Sequence, residues 1–288
     1  MLPILRVLAP NPGVYELEGT NTWVVGPAPA IVIDPGPDVP SHLEEVARTA
    51  GRVGAIVLTH DHPDHAPGAM PLAEMTRAPI HAARPPEAGT PIRDGQVVSS
   101  GGASLRAVAT PGHSSDHLAW WLEDERALFT GDAVLGRGTS VIDPPEGDLA
   151  AYLRSLRKMR DLGPRTIHPG HGPVVLRGVE KLEEYLAHRQ ERERQIVEAL
   201  ATGPRSVDEL VATIYAAYPA DVRPLAARSV VAHLLKLAGE GRVDDTTKDG
   251  VKRYVLVEPR ACARCGRPVK GKGKYCGPCS LAILQGTG

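Results

Sequence analysis

Over residues 1–175 short apolar and β-branched runs are punctuated by glycine and proline: Thr22-Trp23-Val24-Val25, Ala30-Ile31-Val32-Ile33, Ala55-Ile56-Val57-Leu58-Thr59, Leu105-Arg106-Ala107-Val108 and Ala127-Leu128-Phe129-Thr130. Runs of this composition and length predict strands. Helical spacing lies between them, over 39–50 with Glu44 and Glu45 in the opening turns, and over 149–162 with Leu149, Leu153, Leu156 and Met159 on one side. Strands alternating with helices predict an α/β layered domain, and the lack of a Gly-x-Gly-x-x-Gly turn argues against a dinucleotide fold.

The pattern changes at 179–201, a long charged helix with Leu182, Leu186, Arg189, Glu193, Ile196 and Leu200 three or four residues apart. Ser206 with Asp208 and Glu209 then opens another helix, a third is predicted over 226–239, and two β-prone pieces, 241–243 and 252–257, flank a Lys248-Asp249-Gly250 turn. Helix, helix, helix, hairpin is the order of a winged helix. The chain therefore divides into 1–178, 179–258 and a tail, 259–288.

A length of 288 residues accommodates such modules. The charge is balanced overall, 33 Lys and Arg against 34 Asp and Glu, which removes any general bias towards polyanions. The balance hides an asymmetry: residues 259–288 hold six basic residues and no acidic one, leaving 27 against 34 in the rest. All four cysteines lie in that tail, so the body has no disulfide framework. With no signal-like start (Met1-Leu2-Pro3-Ile4 runs into Arg6 and Pro10), a reducing, cytoplasmic setting is expected. No apolar run approaches the ~18 residues of a membrane span.

The chemistry concentrates after the strand at 55–59, where His60-Asp61-His62-Pro63-Asp64-His65 packs three imidazoles and two carboxylates into six residues. His60 and His62, two apart on extended chain, point the same way, and Asp64 and His65 follow as the chain turns. Further candidate ligands stand beside glycine after strand-like runs: His113 in Pro111-Gly112-His113, Asp132 in Gly131-Asp132 and His171 in Pro169-Gly170-His171-Gly172. Buried polar groups need partners, and a metal centre is the reading that uses all seven. His117 reads as a core histidine or a support for a ligand, and His168 as a loop residue beside His171. His42, His81, His188 and His233 carry no assignment.

His-x-His-x-Asp-His followed by Gly-His, Gly-Asp and Pro-Gly-His-Gly resembles the metallo-β-lactamase superfamily over roughly residues 10–175. The resemblance implies an αββα sandwich, with His60, His62 and His113 on one Zn²⁺, Asp64, His65 and His171 on a second, and Asp132 bridging. It also places Asp34, in Ile33-Asp34-Pro35-Gly36, as the carboxylate that orients a ligand. Mn or Fe also suits such a ligand set. Two such cations activate a bridging hydroxide, which Asp64 would orient.

The aspartate at 132 and the lack of an export signal argue against antibiotic hydrolysis. The short interval from Asp132 to His171 leaves no room for the inserted domain of the cleavage-and-polyadenylation nucleases. Glu18-Gly19-Thr20-Asn21-Thr22, Gly131-Asp132-Ala133-Val134-Leu135-Gly136, Pro169-Gly170-His171-Gly172-Pro173 and His188-Arg189-x-x-Arg192-Glu193 resemble the β-lactamase-like endoribonuclease group, which carries a winged helix behind this core. That resemblance implies metal-dependent cleavage of single-stranded RNA, with a homodimer as the candidate assembly. A hydroxyacylglutathione-hydrolase-like thioesterase, or another small-ester or lactone hydrolase, is the alternative.

Cys262-x-x-Cys265 and Cys276-x-x-Cys279 have the spacing of a four-thiolate zinc ribbon, a structural Zn²⁺ that a ~30-residue tail needs in order to fold. With six cations the metallated tail nets about +4, so Arg267, Lys270, Lys272 and Lys274 are candidate phosphate contacts and Tyr275 a candidate stacking platform.

Overall fold

Successive side chains of a strand face opposite ways, and the buried early strands divide their apolar residues between two cores accordingly. Trp23, Val25, Ile31, Ile33, Ala55 and Val57 join one core, while Val24, Val32 and Ile56 join another. The computed structural model describes residues 1–87, 89–219, 223–257, 260–266, 268–269 and 279–280.

The first sheet has the order β1 (Ile4–Leu8), β2 (Asn21–Val25), β3 (Ala30–Ile33), β4 (Val53–Val57), β5 (Ile80–Ala82), β6 (Thr90–Pro91), antiparallel up to β3 and parallel beyond. The second runs β11 (Thr166–Pro169), β10 (Ala127–Gly131), β9 (Leu118–Leu122), β8 (Ala103–Ala109), β7 (Val97–Ser100), with only β10 and β11 parallel. Between the sheets Trp23, Ile31 and Ile33 pack with Leu105, Trp120, Leu122 and Phe129. On the outer face of the first sheet lie α1 (Pro40–Ala50) and α2 (Ala69–Thr76), whose Leu43, Val46 and Leu72 meet Val32 and Ile56. The helix α3 (Leu149–Asp161) buries Leu149, Tyr152, Leu156 and Met159. Its N-cap is Asp148, whose side chain accepts from the Ala151 amide. This is the αββα sandwich.

The chain divides into two compact units, Met1–Ser140 with Glu146–Ala187, and Val141–Pro145 with His188–Gly288, so the division falls inside α4 (Gly178–Ala201). In the second unit the C-terminal part of α4, α5 (Val207–Ile214), α6 (Arg223–Gly239) and the hairpin β12 (Val243–Lys248) with β13 (Val251–Leu256) enclose Ile196, Leu200, Leu210, Val230, Leu234, Leu237 and Tyr254. This is the winged helix. Ser206 caps α5 with a complete capping box to Glu209. The hairpin turns on Asp249 and Gly250, both at positive φ (53° and 75°), as a two-residue turn of this hand requires. In the tail β14 (Arg260–Ala261) pairs antiparallel with β15 (Pro268–Val269). No helix among the described residues is long and apolar enough to cross a membrane.

Several elements differ from the sequence reading, among them α2, β9 and α6, and β12 runs over Val243–Lys248 where 241–243 was expected. α2 is eight residues long and opens at Gly68 without a side-chain cap, so it offers little periodicity to read. β9 is buried at all five positions, Leu-Ala-Trp-Trp-Leu, and lacks the alternation that marks a half-exposed strand. α6 starts at Arg223, three residues before the predicted start, with Pro224 in its first turn.

Glu193 is the charged hub of the second unit. Lys236 donates to its Oε2 at 2.6 Å and Arg242 to its Oε1 at 2.9 Å, while His233 Nδ1 stands 3.9 Å away. The His233 imidazole, with Lys236 and Arg242, outweighs burial and holds the carboxyl down at about 2, from an ordinary 4.5. A depressed carboxyl pKa contributes stability that is complete above the unfolded value and lost as pH falls through the folded one. Glu193→Gln should therefore lower the urea midpoint of this unit at pH 7. The gap from wild type should close as pH drops from about 4.5 towards 2; a gap that does not change over that range would contradict the assignment.

Candidate metal centre

The site forms where strands of both sheets end. The turn after β4 presents Thr59 to His65, the turn after β8 presents His113, β10 ends at Gly131 beside Asp132, and β11 leads to His171. Rigid strands thus aim ligands carried on loops.

These side chains converge. One ligand atom from each of His60, His62 and His113 lies within 4.8 Å of the others, and the same holds for His60, His65 and Asp132, and for Asp64, His65 and His171. His113 Nε2 is 3.1 Å from His62 Nδ1, and His65 Nε2 is 3.3 Å from His171 Nε2. Asp64 Oδ2 lies 3.2 Å from His65 Nε2 and 3.0 Å from His171 Nε2. Asp132 faces both groups with different atoms: Oδ1 lies 3.3 Å from His65 Nε2 and 3.2 Å from His171 Nε2, while Oδ2 lies 3.6 Å from His113 Nε2.

Hydrogen bonds behind the site settle which ring nitrogen His60, His65 and His171 turn inwards. Asp34, buried at the end of β3, accepts from the Thr59 amide (2.7 Å) and the Thr59 hydroxyl (2.7 Å). It also faces His65 Nδ1 at 2.9 Å. A carboxylate only accepts, so His65 Nδ1 is the donor and Nε2 faces the centre. Thr59 spends its one hydroxyl proton on Asp34, so its oxygen accepts from His60 Nδ1 at 2.9 Å. His60 Nε2 is then left buried without a hydrogen-bond partner. His171 Nδ1 likewise donates to the Gly19 carbonyl at 3.2 Å, turning Nε2 inwards.

Burial and charge oppose each other here. Burial resists ionisation of Asp132 and Asp64, yet the His65 and His171 imidazoles hold both carboxyls well below the ordinary range. Burial likewise pushes His171 down, but Asp132 and Asp64 outweigh it and raise it to about 9. Burial drives His60 and His117 well below the ordinary range, with His65 and His113 respectively adding to it. An orphaned buried imidazole nitrogen and two inward-facing rings nose to nose fit a centre built for cations: metal ions satisfy lone pairs that the protein aims at one another.

Among the other sequence candidates, Asp34 stands behind His65 as described. His117 is buried with its ring centroid 5.1 Å from that of His60, and its Nδ1 is 2.8 Å from Thr110 Oγ1, outside the ligand groups. His168 stacks on Phe129 and meets the edge of Trp23, and burial lowers it to about 4. Cys262, Cys265 and Cys279 also converge within 4.8 Å. Cys276, Arg267, Lys270, Lys272, Lys274 and Tyr275 lie outside the described residues.

Sequence reasoning missed the supporting cast. Thr59 links both histidine groups through Asp34, and its only signal was its place before His60. Asn21 donates to the carbonyls of Pro169 (3.0 Å) and Gly172 (2.8 Å), bracketing His171, and Trp23 Nε1 donates to the Pro169 carbonyl (3.0 Å). Gly131, at φ 44°, leaves room for Thr59: a Cβ there would lie 2.5 Å from Thr59 Oγ1.

Comparison with known proteins agrees with this geometry. The model of the metallo-β-lactamase superfamily matches residues 15–88 and 80–171, and that of the β-lactamase associated winged helix domain matches 206–252. The chain is 37% identical over 274 residues to an atrochrysone carboxyl ACP thioesterase of Aspergillus chevalieri, covering 89% of this chain and 88% of that protein. It is 38% identical over 258 residues to a β-lactamase-like protein 2 homolog of Caenorhabditis elegans, covering 84% and 86%. Among solved structures it resembles a metallo-β-lactamase family protein from Thermus thermophilus, with TM-score 0.73, 25% identity and coverage of 88% and 98%. TTHA1623, solved in a di-iron-bound form, matches with TM-score 0.51 and 28% identity over 61% of this chain and 96% of its own. The chain belongs to the metallo-β-lactamase superfamily, a family of metal-dependent hydrolases that bind divalent metals, and carries that winged helix behind the core.

Thr59→Val should remove the hydroxyl link without changing side-chain size, and loss of such a support costs about 10–100-fold in metal affinity. Metal content after dialysis against a graded chelator series should fall for Thr59→Val and stay near wild type for Thr59→Ser. Equal retention in all three proteins would show that the Asp34–Thr59 link does not orient the ligands.

Proposed function

We propose that the chain is a dinuclear zinc hydrolase that cleaves carboxylic thioesters. Asp132 carries the reading, because one carboxylate turning a different oxygen to each of two histidine groups is a device for holding two cations. In this reading His60, His62 and His113 would hold one zinc and Asp64, His65 and His171 the other, with Asp132 a ligand available to both, and Mn or Fe would also suit the set. Bound there, the pair supplies Lewis acidity at neutral pH.

The chain's own residues supply position. Asp64 Oδ2, partly exposed and 3.4 Å from Thr20 Oγ1, is placed to accept a hydrogen bond from an attacking water and orient it. Glu146 Oε1 lies 3.5 Å from His62 Nε2 and is half-exposed, so it adds negative charge at the open side of His62.

Charge favours an acyl substrate over a polyanion. Residues 1–187 hold 16 Lys and Arg against 23 Asp and Glu, whereas a groove for RNA gains its affinity by neutralising phosphates with cations. Two exposed arginines of this unit are engaged, Arg137 with Glu18 and Arg84 with Ser115. The Aspergillus chevalieri relative named as a thioesterase supports the same class. Endonucleolytic cleavage of single-stranded RNA is the second reading, favoured by the six uncompensated basic residues of 259–288.

One experiment separates the readings. The purified protein is given an acyl N-acetylcysteamine thioester, S-lactoylglutathione and, separately, labelled single-stranded RNA, beside Asp64→Ala and Asp64→Asn. Thioester turnover should occur, and kcat/KM should fall about 10²–10⁴-fold in both variants. RNA cleavage that is lost in both variants, with no thioester turnover by wild type, would replace the first reading with the second.

A further inference from the structure

We propose that Cys262, Cys265 and Cys279 form a second metal site, a structural zinc clasp in the C-terminal tail that works independently of the histidine–aspartate centre. The three sulfurs come within 4.8 Å of one another although Cys265 and Cys279 are fourteen positions apart in the chain. Such a convergence is close enough for one tetrahedral ion.

The local backbone is shaped for it. The Gly266 amide donates to the Cys262 carbonyl at 2.9 Å, closing a turn over Cys262-Ala263-Arg264-Cys265. Gly266 itself is at φ 70°, where a side chain would be strained, so the glycine lets the chain leave the turn at once. Both sulfurs of a Cys-x-x-Cys pair then face one point, and β14 pairs with β15 on either side of the turn. Cys279 closes the group from a separate segment.

Among its described residues the tail buries little. Its cluster of buried apolar groups, among the described residues, consists of Cys262 with Cys279 packed against it. Two two-residue strands around a pair of cysteines cannot offset the entropy of ordering the chain, so another source of free energy is required. Zinc–thiolate bonds supply it in small domains, and zinc brings no redox chemistry of its own. In the sequence Cys279 is itself the second member of a Cys-x-x-Cys pair, 276–279, the same spacing as 262–265. Each thiol gives up its proton to solvent as its sulfur takes the ion, so uptake at fixed pH releases acid. The three cysteines lie beyond residue 252, where the family models that match the chain end.

Full-length protein purified without chelator tests this by three measurements. Elemental analysis should give one zinc per chain fewer in Cys279→Ser and in Cys262→Ser than in wild type, with turnover of the hydrolase unchanged. Since a tail variant could be cleaved or aggregate, wild type is also titrated with a mercurial in the presence of a zinc dye. Thiol blocking should release one zinc per chain, while the remainder stays bound. Cells grown on cobalt should yield protein with near-ultraviolet sulfur-to-cobalt charge-transfer absorption that disappears in Cys279→Ser and persists in His60→Ala. Thiols that react with no zinc release, a zinc count unchanged by either cysteine variant, cobalt protein without that absorption, or iron in the zinc's place would each overturn the clasp.

Discussion

A single buried carboxylate holds the catalytic unit together at the point where its chemistry begins. Asp34 accepts three hydrogen bonds, from the Thr59 amide, the Thr59 hydroxyl and His65 Nδ1. A bare carboxylate out of water is costly, and three donors are what make its burial tolerable. Those donors belong to the strand end and the turn that carry the ligands, so satisfying the charge also sets the geometry. The residue stands at φ 48°, an uncommon conformation for a non-glycine side chain, which the surrounding contacts over-determine. The Thr22 hydroxyl, donating to the Asp34 carbonyl at 2.7 Å, pins the backbone from the opposite side.

From that anchor the two histidine groups acquire complementary roles. Through His65 the carboxylate turns a nitrogen towards Asp64, Asp132 and His171; through Thr59 it turns His60 towards His62 and His113. In the second group the carboxyls are held low by the imidazoles and His171 is held high by the carboxyls, so the charges of the cluster support one another. The second sheet contributes in the same way: Asn21 and Trp23, on β2 of the first sheet, hold the carbonyls at the end of β11 and so carry the alignment of one sheet to the ligand loop of the other.

The converging histidines and aspartates were legible in the sequence because they combine rare residue types with glycine at strand ends, and that combination survives without any knowledge of packing. Strands such as 22–25 and 30–33 were legible for a related reason: their β-branched content fits a pleated surface whichever neighbours they find. Thr59, Asn21 and Trp23 were not, because a threonine, an asparagine and a tryptophan take their roles only from partners 25, 148 and 146 positions away. The strand Leu118–Leu122 was missed because burial on both faces erases the alternation that would have signalled it. The cysteine spacing announced a thiolate group; that Cys262 and Cys279 meet with so little else to bury is a fact of packing and had no sequence signal.

The winged helix bears on the substrate through the fate of its cations. A module that grips nucleic acid keeps lysines and arginines available for phosphates, since counterion release drives the binding. Here Lys236 and Arg242 are committed to Glu193, Arg228 pairs with Asp143 at 2.7 Å, and Arg253 pairs with Glu209 at 2.7 Å. Lys252 lies 3.5 Å from Asp245 on the facing strand of the wing. Arg192 lies over the ring of Tyr215, 4.1 Å from its centroid, and is buried. Moving these groups onto a phosphate backbone would break contacts that stabilise the module itself. The exposed pairs would yield at small cost, but the Glu193 hub would leave a half-buried carboxylate without its cations. A domain wired in this way spends its cations on its own fold, and a phosphate backbone would have to compete with those contacts.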